Sequence, residues 1–143
     1  GSIKDALQNS LLLSVPEWFT SGLSAYLAAG ETPAMNQYMF QVVVANKVRK
    51  PVLARGIEAE YLGQSIWSYI ARVYGANQIG NIVNLTRIIR NEQSSISSTL
   101  RKPIAKFLKE WFEFYVCYVS LRVRIHDLIG YVQVKSWPRL MKL

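Results

Sequence analysis

The sequence is poor in the residues that build metal centres and disulfide frameworks. Its 143 residues include one cysteine, Cys117, and one histidine, His126. A single cysteine excludes a disulfide within the chain and any zinc module built from several cysteines. A single histidine likewise excludes a histidine-rich metal site. Acidic residues are also few: nine stand against 17 lysines and arginines, which leaves a net charge of +8. These absences exclude more classes of enzyme than any residue present suggests.

Long apolar runs are missing as well. The longest, residues 111–121, spans eleven positions and contains Glu113, whereas a membrane-spanning helix needs about 20 mostly apolar residues. The first ten residues are polar and do not show the basic start and apolar stretch of a secretion signal. The residues alone therefore indicate no compartment.

Hydrophobic residues make up half of the chain, which is enough to pack one domain of this length. They recur at helical spacing along most of the sequence. We therefore predict an all-α fold, a single globular bundle of about five to six helices, with Trp18 and Trp111 in a shared core. Predicted helices cover residues 3–13, 16–29, 33–45, 57–74 and 77–89, and the longest one begins at Pro103.

Three segments fit the helical pattern less well. Residues 47–55 form a basic connector that contains Pro51, and residues 91–99 are rich in Ser, Asn and Gln, which is typical of a loop or a frayed turn. Residues 129–134 fit either a short strand or a helix tail. We assign residues 1–122 to the helical domain and residues 123–143 to a basic C-terminal extension.

The side chains that could perform catalysis have simpler interpretations. Glu110 and Glu113 can share a helix face, but lysines surround them, which favours an ion-paired surface over acid–base chemistry. Cys117 and His126 are the only thiol and imidazole available. We interpret Cys117 as a structural cysteine, because free cysteines are usually buried, and His126 as a surface residue.

Positive charge concentrates in two segments of the chain. One cluster lies in the connector and the other near the start of the longest predicted helix. Their members are Lys47, Arg49, Lys50 and Arg55, and Arg101, Lys102, Lys106 and Lys109. A basic surface can bind nucleic acid or an anionic membrane. However, the aromatic residues follow core spacing and do not alternate with the charges as base-stacking platforms would. We expect no specific nucleic-acid partner, while a membrane surface stays a candidate.

One stretch carries a more specific signal. Residues 15–26, VPEWFTSGLSAY, resemble the PxWxxEGxAxY helix of peptidase-MA-like gluzincin metallopeptidases. Residues 61–70, followed by Tyr74-Gly75, are similar to a later helix of that family. Residues 108–115 resemble its closing helix, which contains a Glu-Trp pair. Together the likeness covers residues 10–118. The match is closer still to a group of bacterial envelope proteins that place such a domain ahead of a TolB-like β-propeller.

The resemblance implies a helical subdomain in an extracytoplasmic or periplasmic setting. The chain differs from the family, however, in the residues that bind zinc. The family binds zinc through two histidines of an H-E-x-x-H helix and a glutamate of the second helix. No H-E-x-x-H occurs in this chain, and Ser21 stands at the position of the third ligand. Serine is a poor zinc ligand beside a carboxylate. Glu17, four residues earlier, is the alternative. A remnant of the old cleft would be a groove beside Glu17, Ser21 and Tyr26.

We therefore expect a catalytically incomplete metallopeptidase-like domain that acts as a scaffold or interaction module, with no catalytic residue, metal or cofactor of its own. Its partner would be a protein or another domain of the same polypeptide. Two alternatives stay open. One is the C-terminal part of an active zinc metallopeptidase whose H-E-x-x-H lies upstream of Gly1. The other is a basic module that binds anionic lipid or nucleic acid.

Overall fold

A computed structural model describes residues 15–130, with side chains as far as Arg124. This part of the chain is an all-helical bundle of six α-helices without a β-strand. The helices are α1 (Glu17–Ala29), α2 (Pro33–Ala45), α3 (Gly56–Tyr74), α4 (Asn77–Ile89), α5 (Glu92–Leu100) and α6 (Ile104–Gly130), and a short 3-10 turn (Pro51–Leu53) lies between α2 and α3. The all-α prediction is confirmed. The predicted helix at residues 3–13 lies outside the described residues.

The helix ends follow from local capping. Thr32 precedes α2, and its Oγ1 accepts a hydrogen bond from the Met35 backbone N–H at 3.2 Å. Pro33 then occupies the first turn, where its missing N–H costs nothing. Gly30 and Gly75 follow the last residues of α1 and α3, as the sequence predicts. These boundaries are therefore explained by local signals in the sequence.

Residues 91–99 are the part of the bundle where the sequence prediction is wrong. They belong to helix α5, not to a loop. Asn91 begins the helix, since its side chain accepts a hydrogen bond from the Ser94 N–H at 2.9 Å. Ile96 and Leu100 are buried in the core. This tertiary burial and the asparagine cap outweigh the weak helix propensity of the serines.

The core is organised around the crossing of α1 and α3. Gly22 and Gly63 face each other there, and a Cβ at either glycine would overlap the backbone of the other helix. The close approach brings three aromatic rings together. Phe19 lies edge-on to Trp67 at 4.9 Å between ring centroids, and the Trp67 Nε1 donates to the Phe19 carbonyl at 3.1 Å. Trp18 packs beside both rings.

Helix α6 closes the bundle through a buried polar network. Trp111 Nε1 donates to the Ser65 hydroxyl at 3.1 Å, and the Tyr115 hydroxyl donates to the Ser65 carbonyl at 3.1 Å. Both aromatic side chains are 2% exposed. Trp18 and Trp111 therefore share one core, as predicted. The helix continues without a break past residue 123, the predicted start of the C-terminal extension, and the stretch at 131–143 lies outside the described residues.

Candidate functional site

The three residues of the predicted groove have different structural roles. The Glu17 carboxylate accepts a hydrogen bond from the Gly56 N–H at 2.9 Å and so holds the first residue of α3. Ser21 is half-buried on α1, and Tyr26 packs against the core. None of the three lines the cavities described below. A binding groove beside them stays a prediction.

The described residues contain no cluster of three histidine, cysteine or acidic side chains able to hold a metal ion. The acidic pair on α6 is engaged with lysines. Glu110 pairs with Lys102, and this contact lowers the pKa of the Glu110 carboxyl. Glu113 lies 3.9 Å from Lys109. Both pairs fit the ion-paired surface that the sequence predicts.

Cys117 differs from its prediction, because its side chain is exposed rather than buried. Successive core positions of α6, Tyr115 and Val119, are 2% exposed and belong to the buried core. Cys117 lies between them in sequence and projects from the opposite side of the helix. The side chain of His126 lies outside the described residues.

The connector, residues 47–55, forms a folded strap on the surface. Asn46 ends α2 in a left-handed conformation, with φ of 51°, and the chain then turns through Pro51 into the 3-10 turn. Arg55 fixes the end of the strap by donating to the carbonyls of Val52 and Ala54 at 3.2 and 2.9 Å. Ala54 is fully buried. The strap is therefore anchored to the bundle at its C-terminal end.

Two adjacent cavities open between the strap and the helices α5 and α6. We call them cavity A and cavity B, and together the connector groove. Each has a volume of about 260 Å³. They share Lys50, Pro51 and Leu108. Cavity A is completed by Trp18, Val52, Gln93, Ile96, Ile104 and Ala105, and cavity B by Val48, Arg49, Lys109, Trp111 and Phe112.

The groove has an apolar floor and a basic rim. Trp18 and Trp111 lie in its floor and are 3% and 2% exposed. Lys50 and Lys109 come from the two basic clusters of the sequence, and both line cavity B with Arg49. The fold therefore brings together two charged segments that are far apart along the chain.

The basic side chains of the strap differ in how free their charges are. Arg49 Nε lies 2.6 Å from Glu58 Oε1 in an exposed ion pair. Arg55 is occupied by backbone carbonyls. Lys47 and Lys50 are exposed, and the ammonium group of neither makes an ion pair or a hydrogen bond to another described residue. Lys50 is the uncompensated positive charge shared by both cavities.

A third cavity, cavity C, lies between the strap and the helices α2 and α3. It has a volume of about 350 Å³ and is lined by Tyr38, Lys47, Val48, Arg49 and Glu58. Burial raises the pKa of Tyr38 to about 12, and Glu58 adds to this rise while Arg49 opposes it. Tyr38 thus stays protonated at neutral pH, and it can offer a hydrogen bond but no nucleophilic phenolate.

Apolar and basic side chains dominate the lining of the three cavities. Among the described residues that line them there is no histidine, cysteine or serine. What they offer is recessed apolar surface beside lysine and arginine side chains. The sequence analysis identified both basic clusters, but it did not identify the groove, because no local pattern indicates that Lys50 and Lys109 meet.

Two further findings concern membrane-spanning helices and similarity to known proteins. Within residues 15–130, none of the helices combines the length and the hydropathy that crossing a bilayer requires. Comparisons with models of protein families, with curated proteins and with solved structures find no match to this chain.

Proposed function

We propose that this domain is a non-catalytic module that binds another protein, or another domain of its own polypeptide, through the connector groove. The observation that carries the proposal is the combination of a recessed apolar floor with the charge of Lys50, which forms no ion pair with another described residue. Specific interfaces place apolar anchors in desolvated pockets and surround them with a polar rim. The groove supplies both parts on one face.

The residues that resemble a metallopeptidase support the non-catalytic part of the proposal. Ser21 stands where the family has a zinc-binding glutamate, and a neutral hydroxyl is a weak ligand for zinc. Glu17, the candidate substitute, binds the Gly56 N–H. Its carboxylate would have to leave that position to bind a metal. The same helix that carries zinc chemistry in the resembling family serves here to pack against α3.

The test is the zinc content and peptidase activity of the full native chain. After dialysis, elemental analysis is expected to find far less than one zinc per chain. Cleavage of a general peptide substrate mixture should not respond to a chelator. Close to one bound zinc together with chelator-sensitive cleavage would overturn the proposal and favour an active metallopeptidase whose H-E-x-x-H lies upstream. Ser21→Ala is the matched control. If the wild type binds zinc and this variant does not, Ser21 is a ligand.

A further inference from the structure

We propose that the partner of the connector groove is an acidic amphipathic peptide segment that inserts one large apolar side chain into cavity A and a second into cavity B. This inference rests on the proposed function and names the kind of ligand that the groove takes. The two cavities share Lys50, Pro51 and Leu108. Two anchors on one short peptide can therefore occupy them at the same time.

The size of the cavities favours side chains over a small-molecule ligand. Each cavity holds about 260 Å³, whereas binding sites for small molecules usually measure about 300–1,000 Å³. Leu108 and the Lys50–Pro51 segment lie between them and divide the apolar space into two short compartments. One leucine or phenylalanine side chain suits a compartment of this size. Helical peptides present such anchors at positions i and i+4.

The positive charges of the rim predict a negatively charged peptide. Arg49, Lys50 and Lys109 line cavity B, and no acidic side chain lines either cavity of the groove among the described residues. Lys50 has no ion-pair partner in this part of the chain. Glutamate or aspartate residues beside the anchors would complement these charges and raise the association rate. The net charge of +8 acts in the same direction.

The depth of the apolar floor argues against the two other anionic ligands. A bilayer surface or a nucleic-acid base needs exposed apolar or aromatic surface, as in interfacial helices and stacking platforms. Trp18 and Trp111 are almost fully buried at the bottom of the groove. Phe112 is half-buried. Only a ligand that inserts its own side chains reaches this surface.

The experiment measures binding of a fluorescein-labelled peptide of about 12 residues by fluorescence anisotropy, with the full chain. The peptide carries phenylalanine and leucine at positions i and i+4 of one helical face and glutamates elsewhere on the helix. Two matched peptides serve as controls. One has both anchors replaced by alanine, and the other keeps the anchors but has lysine in place of glutamate. We expect saturable binding of the first peptide and at least about tenfold weaker binding of both controls.

Variants of the protein locate the binding surface. Ala105 is exposed and lines cavity A, so Ala105→Trp should fill this cavity and weaken binding about tenfold without disturbing the core. Ala28→Trp places the same side chain at an exposed position of α1 and should have no effect. Lys50→Glu should weaken binding about three- to tenfold at low salt, whereas Arg87→Glu, on α4 and away from the groove, should change it less than twofold.

Several results would overturn the inference. Equal binding of the peptides with and without anchors would show a general electrostatic attraction, as would equal effects of Lys50→Glu and Arg87→Glu. Binding of vesicles of phosphatidylserine and phosphatidylcholine, unaffected by Ala105→Trp, together with no binding of the peptide, would assign the basic surface to lipid. These outcomes leave the zinc measurement untouched. A zinc-loaded, active chain would instead refute the non-catalytic function while the peptide-binding result stood.

Discussion

At the scale of single residues, two glycines determine how closely the central helices approach. Gly22 on α1 and Gly63 on α3 lie so close that a methyl group on either one overlaps main-chain atoms of the other helix. Backbone cannot move aside as a flexible side chain can. Packing alone is therefore a sufficient reason for Trp18 and Gly22 to occupy these positions.

Gly22→Ala is expected to destabilise the protein by about 3 kcal/mol or more, at the upper end of the usual cost of overpacking. The free energy of unfolding from urea denaturation of the full chain measures this. Gly80→Ala is the matched control, because Gly80 is helical and has open space around its added Cβ. Alanine there should stabilise α4 by about 0.5–1 kcal/mol. A similar loss in both variants would contradict the packing argument.

Glu17, the alternative to Ser21 as a zinc ligand, has a structural role that can be tested separately. Its carboxylate accepts the Gly56 N–H at 2.9 Å, one of the N–H groups that a helix start leaves without an intrahelical partner. Glu17→Ala should therefore lower the free energy of unfolding by about 1 kcal/mol. Glu17→Gln keeps an acceptor oxygen and should lose less. If both variants unfold like the wild type, the hydrogen bond does not stabilise the start of α3.

At the scale of helices, α5 shows where reading the sequence fails. Most helices of the bundle carry a strong apolar period and clear end signals, so their limits follow from the sequence within a residue or two. Helix α5 is nine residues long and rich in serine. Its apolar side chains, Ile96 and Leu100, bury themselves against other elements. Isolated helices of this length are unstable in water, so tertiary contacts that the sequence does not display decide its structure.

Asn91→Ala tests how far the cap contributes to α5. The Asn91 side chain accepts the Ser94 N–H at 2.9 Å, and alanine at this position should cost about 1 kcal/mol. Asn91→Asp retains the acceptor and should stay close to wild type. Asn84→Ala, at an exposed position inside α4, should cause no loss, since alanine has the higher helix propensity. Urea denaturation followed by circular dichroism compares the three, and equal stability of N91A and N84A would refute the cap.

At the scale of the whole molecule, the connector groove is the feature that sequence reasoning could not reach. The strap residues and the start of α6 both appear as basic segments, and each alone fits a solvated surface. Their combination with the buried Trp18 and Trp111 depends on how α1, α5 and α6 pack against the strap. Periodicity is local, whereas a cavity belongs to several elements at once. The fold was thus largely predictable, and the candidate site was not.

Buried tyrosines make the stability of the protein depend on pH in the alkaline range. Burial raises the pKa of Tyr69 from 10 to about 12, and the neighbouring Tyr74 adds to the rise. An unfolded tyrosine ionises near pH 10, while the folded one stays protonated, so unfolding releases a proton in this interval. The contribution of Tyr69 to stability is therefore fully present below pH 10 and is lost as the pH rises through 12. Tyr38, whose pKa is also raised to about 12, acts in the same sense.

Tyr69→Phe separates this effect from other alkaline titrations. At pH 11, which is one unit above the unfolded pKa and one below the folded value, Tyr69 alone should lower the free energy of unfolding of the wild type by about 1 kcal/mol relative to pH 8. Phenylalanine cannot ionise, so the decrease in free energy of unfolding between pH 8 and 11 should be smaller by that amount in the variant. Urea denaturation at the two pH values measures both decreases. Equal decreases would mean that Tyr69 has the same pKa in the folded and the unfolded protein. The packing of its ring against Phe107 and Phe114 would then not keep water away from the hydroxyl.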